Sequence, residues 1–297
     1  MLSLSRLAAL ASAHPADLDL PVAPLSVGDR LFDVDSSPVI MGCVNLSPDS
    51  TYRESIAVNT SKAIRKARIM SAQGADIIDI GAESSTARAQ RVDPAQQSAS
   101  LVPVIEELAA QDIIVSVESY SPSVVRDCLK AGARVVNLTG VVDQEAIFDL
   151  AGTHGATVVI CYVAGSDVRE IADATSADDP IPELLEHFEQ RMALARSHGV
   201  ANIVIDPGMG FYYGNLTDPS TRVRHQTRVL LNTFRLRRLG LPICQAMPHA
   251  FDLFGDQFRT AEGYFATLAF LGGTSVYRTH EVAHVRSVLD AMTLLEG

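Results

Sequence analysis

The sequence contains no tryptophan, and only 6% of its 297 residues are aromatic. Aromatic platforms that stack the bases of a single-stranded nucleic acid are therefore poorly supported. The formal net charge is −11, with 24 Lys and Arg against 35 Asp and Glu, which argues against a surface that coats a nucleic acid duplex. No lysine follows Lys130, so the rest of the chain depends on arginine for permanent positive charge.

Cysteine is also scarce. The chain has four cysteines, Cys43, Cys128, Cys161 and Cys244, which form no Cys-x-x-Cys pair, and no histidine lies at zinc-finger spacing. We interpret them as reduced thiols that act as small core hydrophobes. The alternative is a metal site built from Cys43, Cys161 and Cys244. No apolar run is long enough to span a bilayer, and we expect a cytoplasmic protein.

What the sequence does contain is a repeated alternation of apolar runs and amphipathic segments. Several of these segments have apolar residues at helical spacing and end at a glycine. Strands that are buried on both faces and alternate with helices indicate a parallel sheet. Eight such units fit a (β/α)₈ TIM barrel, and a doubly wound open sheet is the alternative. The eight runs are residues 39–45, 76–82, 113–119, 134–140, 157–163, 202–208, 241–247 and 274–280.

The first 35 residues precede this alternation. They hold an Ala-rich segment and the stretch "LSVGDRLFDVD", in which apolar residues alternate around Gly28 and Asp29. This pattern predicts a short helix followed by a small hairpin. We therefore predict an N-terminal extension and hairpin over residues 1–35, and one (β/α)₈ barrel, with no internal linker, over residues 36–297.

Polar side chains stand at the ends of the predicted strands. In a (β/α)₈ barrel the active site lies at the carboxyl ends of the strands. A capping role explains any one of these residues, but the complete set predicts a functional mouth. Its members are Asn45, Asp79, Glu83, Glu118, Asn137, Tyr162, Asp206, Met247, His249, Arg278 and His280.

Several of these residue types indicate particular chemistry. Asp206, which Pro207 and Gly208 follow at once, can accept two N–H groups from a guanidine-like edge, and Asn137 adds a donor and an acceptor. Arg278 and His280 are two residues apart on the last strand, so alternation points them the same way, towards an anion such as a phosphate. An ion pair with a neighbouring carboxylate is the alternative for them. Asn45 could bind a hard cation such as Mg²⁺.

Another basic feature lies in the stretch from residue 220 to residue 240. It contains six arginines, Arg222, Arg224, Arg228, Arg235, Arg237 and Arg238. We interpret this stretch as a solvated helix face. A surface that meets an acidic region of a second copy of the chain is the alternative.

Five blocks of sequence, taken in order, resemble the dihydropteroate synthase family of pterin-binding TIM barrels. They are "MGCVNLSPDS", "GADIIDIGAESS", "VSVESYSPSVV", "IDPGMGF" and "YRTHEV". The resemblance implies an enzyme that displaces pyrophosphate from a dihydropterin-methyl pyrophosphate with the amine of p-aminobenzoate, in a folate-type pathway. It implies Mg²⁺ as cofactor, a small pterin as substrate and a homodimer as assembly, with neither nucleic acid nor membrane as partner.

The resemblance also implies roles for individual residues. By motif position, Asn45 resembles the ligand of the metal and pyrophosphate, and Arg278 and His280 resemble the anion site. We expect catalytic roles for Asp79, Glu118, Arg278 and His280. We expect substrate binding by Asn137, Asp206, Glu83, Ser84, Phe211 and His249.

The chain departs from the family pattern mainly on its seventh barrel strand. The family ends that strand with Ser-Arg-Lys, whereas Met247, Pro248, His249 and Ala250 follow it here. Glu118-Ser119 also replaces an Asp-Thr pair, and Asn137-Leu138 replaces an Asn-Asp pair. We therefore expect a retained pterin half and an altered acceptor half. A non-catalytic or regulatory pterin-binding protein and a corrinoid-linked methyltransferase remain the alternatives.

Overall fold

Eight parallel strands form the centre of the protein, in a computed structural model that describes residues 2–47, 59–84, 91–165, 179–210, 216 and 218–296. In chain order the strands are β3 (Val39–Asn45), β4 (Ile77–Gly81), β5 (Ile114–Glu118), β6 (Val135–Leu138), β7 (Thr157–Cys161), β8 (Ile203–Asp206), β9 (Cys244–Ala246) and β10 (Val276–Thr279). Neighbouring strands pair in the order β8-β7-β6-β5-β4-β3-β10-β9. A parallel bridge between Ile205 and Ile243 joins the two outer strands and nearly closes the barrel. The predicted TIM barrel is thus confirmed, and the open sheet is wrong.

Most of the helices connect the strands and bury one face against them, whereas the helices Leu4–Ala13 and Phe251–Phe254 have no buried residue. The Asn59 side chain caps the helix Thr60–Ala72 by accepting a hydrogen bond from the Lys62 N–H at 2.9 Å, and Gly74, at φ +100°, allows the chain to turn after this helix. No described helix is long and apolar enough to cross a membrane. The helices are α1 (Leu4–Ala13), α2 (Thr60–Ala72), α3 (Pro94–Ala109), α4 (Pro122–Lys130), α5 (Gln144–His154), α6 (Ile181–Ser197), α7 (Pro219–Asn232), α8 (Phe251–Phe254), α9 (Phe258–Leu271) and α10 (Val282–Glu296), with 3₁₀ turns at Pro15–Asp17, Thr233–Leu239 and Gly255–Gln257.

A hairpin of β1 (Leu25–Val27) and β2 (Arg30–Phe32) lies across the amino-terminal end of the barrel. Leu25 and Val27 are buried, and they line a small cavity together with residues from the amino-terminal halves of six barrel strands. These residues are Met41, Ile77, Val135, Thr157, Val204 and Val276. The Thr157 hydroxyl donates a hydrogen bond to the Ser26 carbonyl at 2.6 Å. The predicted helix and hairpin are therefore present, while the division of the chain at residue 35 stays a prediction.

The arginine-rich stretch after α7 is not uniformly solvated. Arg235 is buried and pairs with Asp179 at 2.8 Å. Arg237 contacts Asp35 and donates to the Gly273 carbonyl at 3.0 Å, and Arg238 binds Asp17. The expectation of a solvated face is thus wrong for Arg235 and Arg237, whereas Arg238 is exposed although it binds Asp17. All three lie in the 3₁₀ turn that follows α7, and two of them hold the N-terminal extension against the barrel.

The hairpin supplies a test of how the barrel end is closed. Replacing Val27, which is 1% exposed, with Asp would bury an unpaired carboxylate and should lower the free energy of unfolding by about 3 kcal/mol or more. Leu31→Asp, on the 71% exposed face of the same hairpin, should change it by less than about 0.5 kcal/mol. Urea unfolding followed by circular dichroism measures both. Equal effects of the two substitutions would show that the hairpin does not seal the barrel.

Candidate active site

The carboxyl ends of the barrel strands gather the predicted polar residues at one mouth. Asn45, Glu118 and Asp206 are the last residues of β3, β5 and β8. In the strand register Glu118 pairs with Asn137 on one side and with Gly81 on the other. Parallel pairing in this register brings the ends of the strands to one level, which explains why the side chains meet.

Arg278 connects the strands at the centre of this mouth. Its Nε donates to Asp79 Oδ2 at 2.7 Å, and its terminal nitrogen contacts Glu118 Oε2. Asp79 also accepts hydrogen bonds from Ser116 Oγ at 2.6 Å and from Asn137 Nδ2 at 3.0 Å. Asp79 is only 2% exposed, so its carboxylate is buried with three donors around it. Such a fully satisfied network fixes the positions of its members.

Asp206 lies in the same mouth with fewer donors. Its Oδ1 accepts a hydrogen bond from the Gly208 N–H at 2.7 Å, and the left-handed backbone of Gly208, at φ +78°, permits this tight turn. Burial raises the pKa of Asp206 to about 6, although the Gly208 N–H and the charge of Arg278 partly oppose it. Burial likewise raises the pKa of Glu118 to about 7, against the attraction of Arg278. Arg278 thus contacts two of the three carboxyl groups, Asp79 and Glu118, and acts on Asp206 through its charge alone.

The three cysteines on barrel strands lie beneath this mouth as neutral thiols. Cys161 Sγ donates to Asn137 Oδ1 at 3.2 Å, and burial raises the pKa of Cys43, Cys161 and Cys244. All four cysteines are free and buried, as predicted. Within the described residues, the group of ligands that could hold a metal contains no cysteine. The alternative of a three-cysteine metal site is therefore wrong.

The remaining predicted residues lie at different distances from this network. Glu83 accepts hydrogen bonds from the Val92 N–H at 3.0 Å and from the Tyr120 hydroxyl, and so connects the end of β4 to residues that lie before α3 and after β5. Ser84 is buried near Glu118, around a small cavity. The Tyr162 hydroxyl donates to Glu183, away from Arg278. Phe211 lies outside the described residues.

His249 and His280 form a second polar group, after β9 and β10. Their Nδ1 atoms lie 3.2 and 3.4 Å from the same oxygen, Oε1 of Glu262 in α9. Glu262 is fully buried, and its pKa is lowered by the two histidines against the effect of burial. Burial lowers the pKa of His280 to about 4. Arg278 and His280 therefore contact different carboxylates, and a shared anion site remains a prediction.

Asn45 fits a magnesium ion as a single protein ligand. Its side chain carries an amide oxygen at the end of the strand, and an amide oxygen is a ligand type that Mg²⁺ binds. The described residues around it supply no group of three carboxylate or imidazole ligands. A magnesium ion at Asn45 would therefore take its other oxygens from water and from a bound phosphate, as is usual for Mg²⁺.

Sequence reasoning missed three partners of these residues: Ser116, Cys161 and Glu262. Ser116 resembles an ordinary strand residue, and the sequence indicates Cys161 as a core thiol or a metal ligand but not as a partner of Asn137. Glu262 carried a detectable signal, because Phe265, Ala266 and Ala269 follow it at helical spacing and are buried. A carboxylate on the buried face of a helix needs a partner, so its position alone indicated a functional or structural contact.

Asp79 accepts more hydrogen bonds than Asp206, so replacing each of them with Asn should change the stability of the fold in opposite directions. A carboxyl whose pKa is raised by folding stabilises the fold below pH 4, and that stability is lost as the pH rises through 6. Asp206→Asn should therefore stabilise the protein by on the order of 2 kcal/mol above pH 6.5, with no gain near pH 4. Asp79→Asn should cost roughly 3 kcal/mol, because it leaves Arg278 short of a partner. Urea titrations from pH 4 to pH 8 measure both, and destabilisation by both would contradict this account.

Comparisons with known proteins agree with this geometry. Residues 41–280 match the family described as pterin binding enzyme. The chain is 30% identical to a dihydropteroate synthase of Synechocystis over 91% of this chain and 95% of that protein. It superimposes on dihydropteroate synthase of Xanthomonas albilineans with 4-aminobenzoic acid (26% identity, TM-score 0.77, 93% and 99% coverage) and of Thermus thermophilus with 4-aminobenzoate (26%, 0.76, 92% and 99%). The chain therefore belongs to the family of pterin-binding enzymes.

Proposed function

We propose that the chain is a dihydropteroate synthase-like transferase of a folate-type pathway. It would bind a dihydropterin-methyl pyrophosphate, release pyrophosphate and join the methylene carbon to the nitrogen of an amine acceptor. The observation that carries this proposal is the buried network of Asp79, Glu118, Asn137, Asp206 and Arg278 at the barrel mouth. The names of the relatives support it.

Asp206 and Asn137 suit the edge of a pterin. Asn137 uses one N–H towards Asp79 and one lone pair towards Cys161, which leaves a donor and an acceptor by valence. Asp206, once ionised, accepts further N–H groups besides that of Gly208. A pterin offers adjacent N–H donors and a carbonyl acceptor on one edge, so the two residues complement it while buried from water.

The carboxyl excess suits the reaction that would follow. Departure of pyrophosphate leaves positive charge at the methylene carbon, and fixed negative groups in a dry site stabilise that charge. Asp79 is held in place by Arg278, Ser116 and Asn137. It therefore need not reorganise as the charge develops.

Asn45 would hold a magnesium ion beside the pyrophosphate. When bound, the ion would neutralise phosphate charge and so make the leaving group a weaker base. Arg278 would complete the anion site on the β10 side, and His280 would contribute Nε2, since its Nδ1 faces Glu262. For this, the guanidinium would have to exchange one of its carboxylate contacts for a phosphate oxygen.

The acceptor half of the mouth has few charged groups. Met247, Pro248 and Ala250 are buried after β9, and His249 is the titratable residue among them. An acceptor without a carboxylate suits this lining better than an anionic one. We also expect a homodimer and a cytoplasmic location, which analytical ultracentrifugation and cell fractionation would test.

Pterin binding should depend on pH through Asp206. With a pKa of about 6, only about a tenth of this carboxyl is ionised one unit lower. The affinity for a dihydropterin should therefore fall about tenfold between pH 7.5 and pH 5, as measured by calorimetry. Asp206→Asn should bind about tenfold to a hundredfold more weakly at pH 7.5, the scale of a lost charge-assisted hydrogen bond, with a flatter pH profile.

Glu118→Gln is the matched control for this measurement. This substitution removes the other carboxyl whose pKa is raised but leaves Asp206 in place. The dependence of pterin affinity on pH that we attribute to Asp206 should therefore persist. If Asp206→Asn folds and binds the pterin as tightly as the natural chain, the assignment of the pterin edge is wrong.

Kinetics would distinguish acceptors. With Mg²⁺ as the only added metal, kcat/KM for p-aminobenzoate should be about 10²–10⁴ lower than for the Thermus thermophilus enzyme, because two charge-assisted contacts of the family pattern are missing. For an uncharged amine such as p-aminobenzamide, kcat/KM should be reduced by a smaller factor. Pyrophosphate release measures both reactions. Turnover of p-aminobenzoate at about 1 per second or faster would refute the altered acceptor half, and pterin binding without pyrophosphate release from any amine would favour the non-catalytic alternative.

A further inference from the structure

The group of His249, Glu262 and His280 lies outside the network around Arg278. Two loops and one helix contribute to it: His249 follows β9, His280 follows β10, and Glu262 projects from α9. All three ligand atoms lie within 4.8 Å of one another. Phe251 packs against the His249 ring with 5.3 Å between ring centroids, which gives the group an apolar wall.

Glu262 is held so that one of its oxygens faces both imidazoles. Its Oε2 accepts hydrogen bonds from the Thr279 hydroxyl and from the backbone N–H groups of His280 and Glu281, at 3.0 and 3.2 Å for the latter two. Its Oε1 receives no hydrogen bond from the described residues, although the carboxyl is fully buried. A buried carboxylate oxygen in this position needs a positive partner.

The separations at Oε1 suit a metal ion, and the geometry there does not make direct hydrogen bonds. Two ligands at 2.0–2.1 Å from a tetrahedral zinc ion are about 3.3 Å apart, and Oε1 lies 3.2 and 3.4 Å from the two Nδ1 atoms. A shared metal lies off the line that joins each nitrogen to the oxygen. In a metal site, the two Nδ1 atoms would lie at these distances from Oε1 without forming hydrogen bonds to it.

We propose that His249, Glu262 and His280 bind a divalent transition metal of the zinc class. Two imidazoles and one carboxylate are a donor set of catalytic zinc sites, in which a fourth position stays open. The side chains of His249 and His280 are 19% and 12% exposed, so a fourth ligand can reach the group from solvent. With Glu262 ionised, the loaded site would carry net positive charge, and an oxygen ligand such as water or a carboxylate would fill the fourth position.

This site differs from the magnesium position in its chemistry. Nitrogen ligands favour zinc over magnesium, which prefers oxygen and retains its waters. Asn45, by contrast, offers only oxygen as a metal ligand. The zinc proposal does not depend on the identity of the acceptor or on turnover, because binding is measured on the chain alone.

The test is calorimetry of the full-length, chelator-treated chain with Zn²⁺. We expect one zinc per chain, no competition by millimolar Mg²⁺, and an absorption spectrum of tetrahedral Co²⁺ when cobalt replaces zinc. His249→Ala should weaken zinc binding by about tenfold or more. His249→Cys should keep the metal, because thiolate is a zinc ligand.

His284→Ala is the matched control, since His284 is an exposed histidine of the neighbouring helix α10 and should leave binding unchanged. Circular dichroism of each variant checks that it is folded. Failure of the natural chain to bind zinc stoichiometrically, or binding by folded His249→Ala that equals the natural chain, would overturn the proposal. Neither result would bear on pyrophosphate release, which tests the transferase separately.

Discussion

The ion pair between Arg278 and Asp79 is the interaction on which the mouth of this barrel depends. Strand β3 separates β10 from β4 in the sheet, so the guanidinium reaches across one strand, and it extends to Glu118 on β5 as well. One side chain thereby fixes the ends of three strands. Because the pair is buried, separating its members would leave charge without solvent, and that cost keeps the strand ends in register.

The mouth is nevertheless unbalanced in charge. Asp206 and Glu118 retain raised pKa values, about 6 and 7, because burial outweighs the attraction of Arg278. A fold selected only for stability would replace such groups by neutral ones. Their presence is the usual mark of a site whose carboxyls are satisfied by a ligand rather than by the protein. Such a site would stabilise a heterocycle that has several N–H groups and develops positive charge during the reaction.

The sequence predicted the barrel and the strand ends because both follow from local pattern. The run 39–45 coincides with β3, whereas 241–247 is longer than Cys244–Ala246, since apolar residues leading into a strand look like the strand itself. Side-chain partners could not be predicted in the same way. Alternation placed Arg278 and His280 on one side, yet His280 lies beyond the end of β10, where the chain turns and alternation no longer applies.

The two sides of the mouth follow different electrostatic designs. On the β4–β8 side, the carboxyl groups of Asp79, Glu118 and Asp206 surround the guanidinium of Arg278, which extends from β10. The charge there depends on the pH, because the pKa values of Asp206 and Glu118 are raised to about 6 and 7. On the β9–β10 side, a buried carboxylate faces two imidazoles, which are neutral unless they bind a proton or a metal. The charge there is therefore set by what occupies the imidazoles. The chain has no lysine after Lys130, so a proton or metal bound to the two imidazoles can supply the positive charge that a lysine would otherwise bring. Whether an anionic or a neutral acceptor suits this half of the mouth therefore depends on what the imidazoles bind.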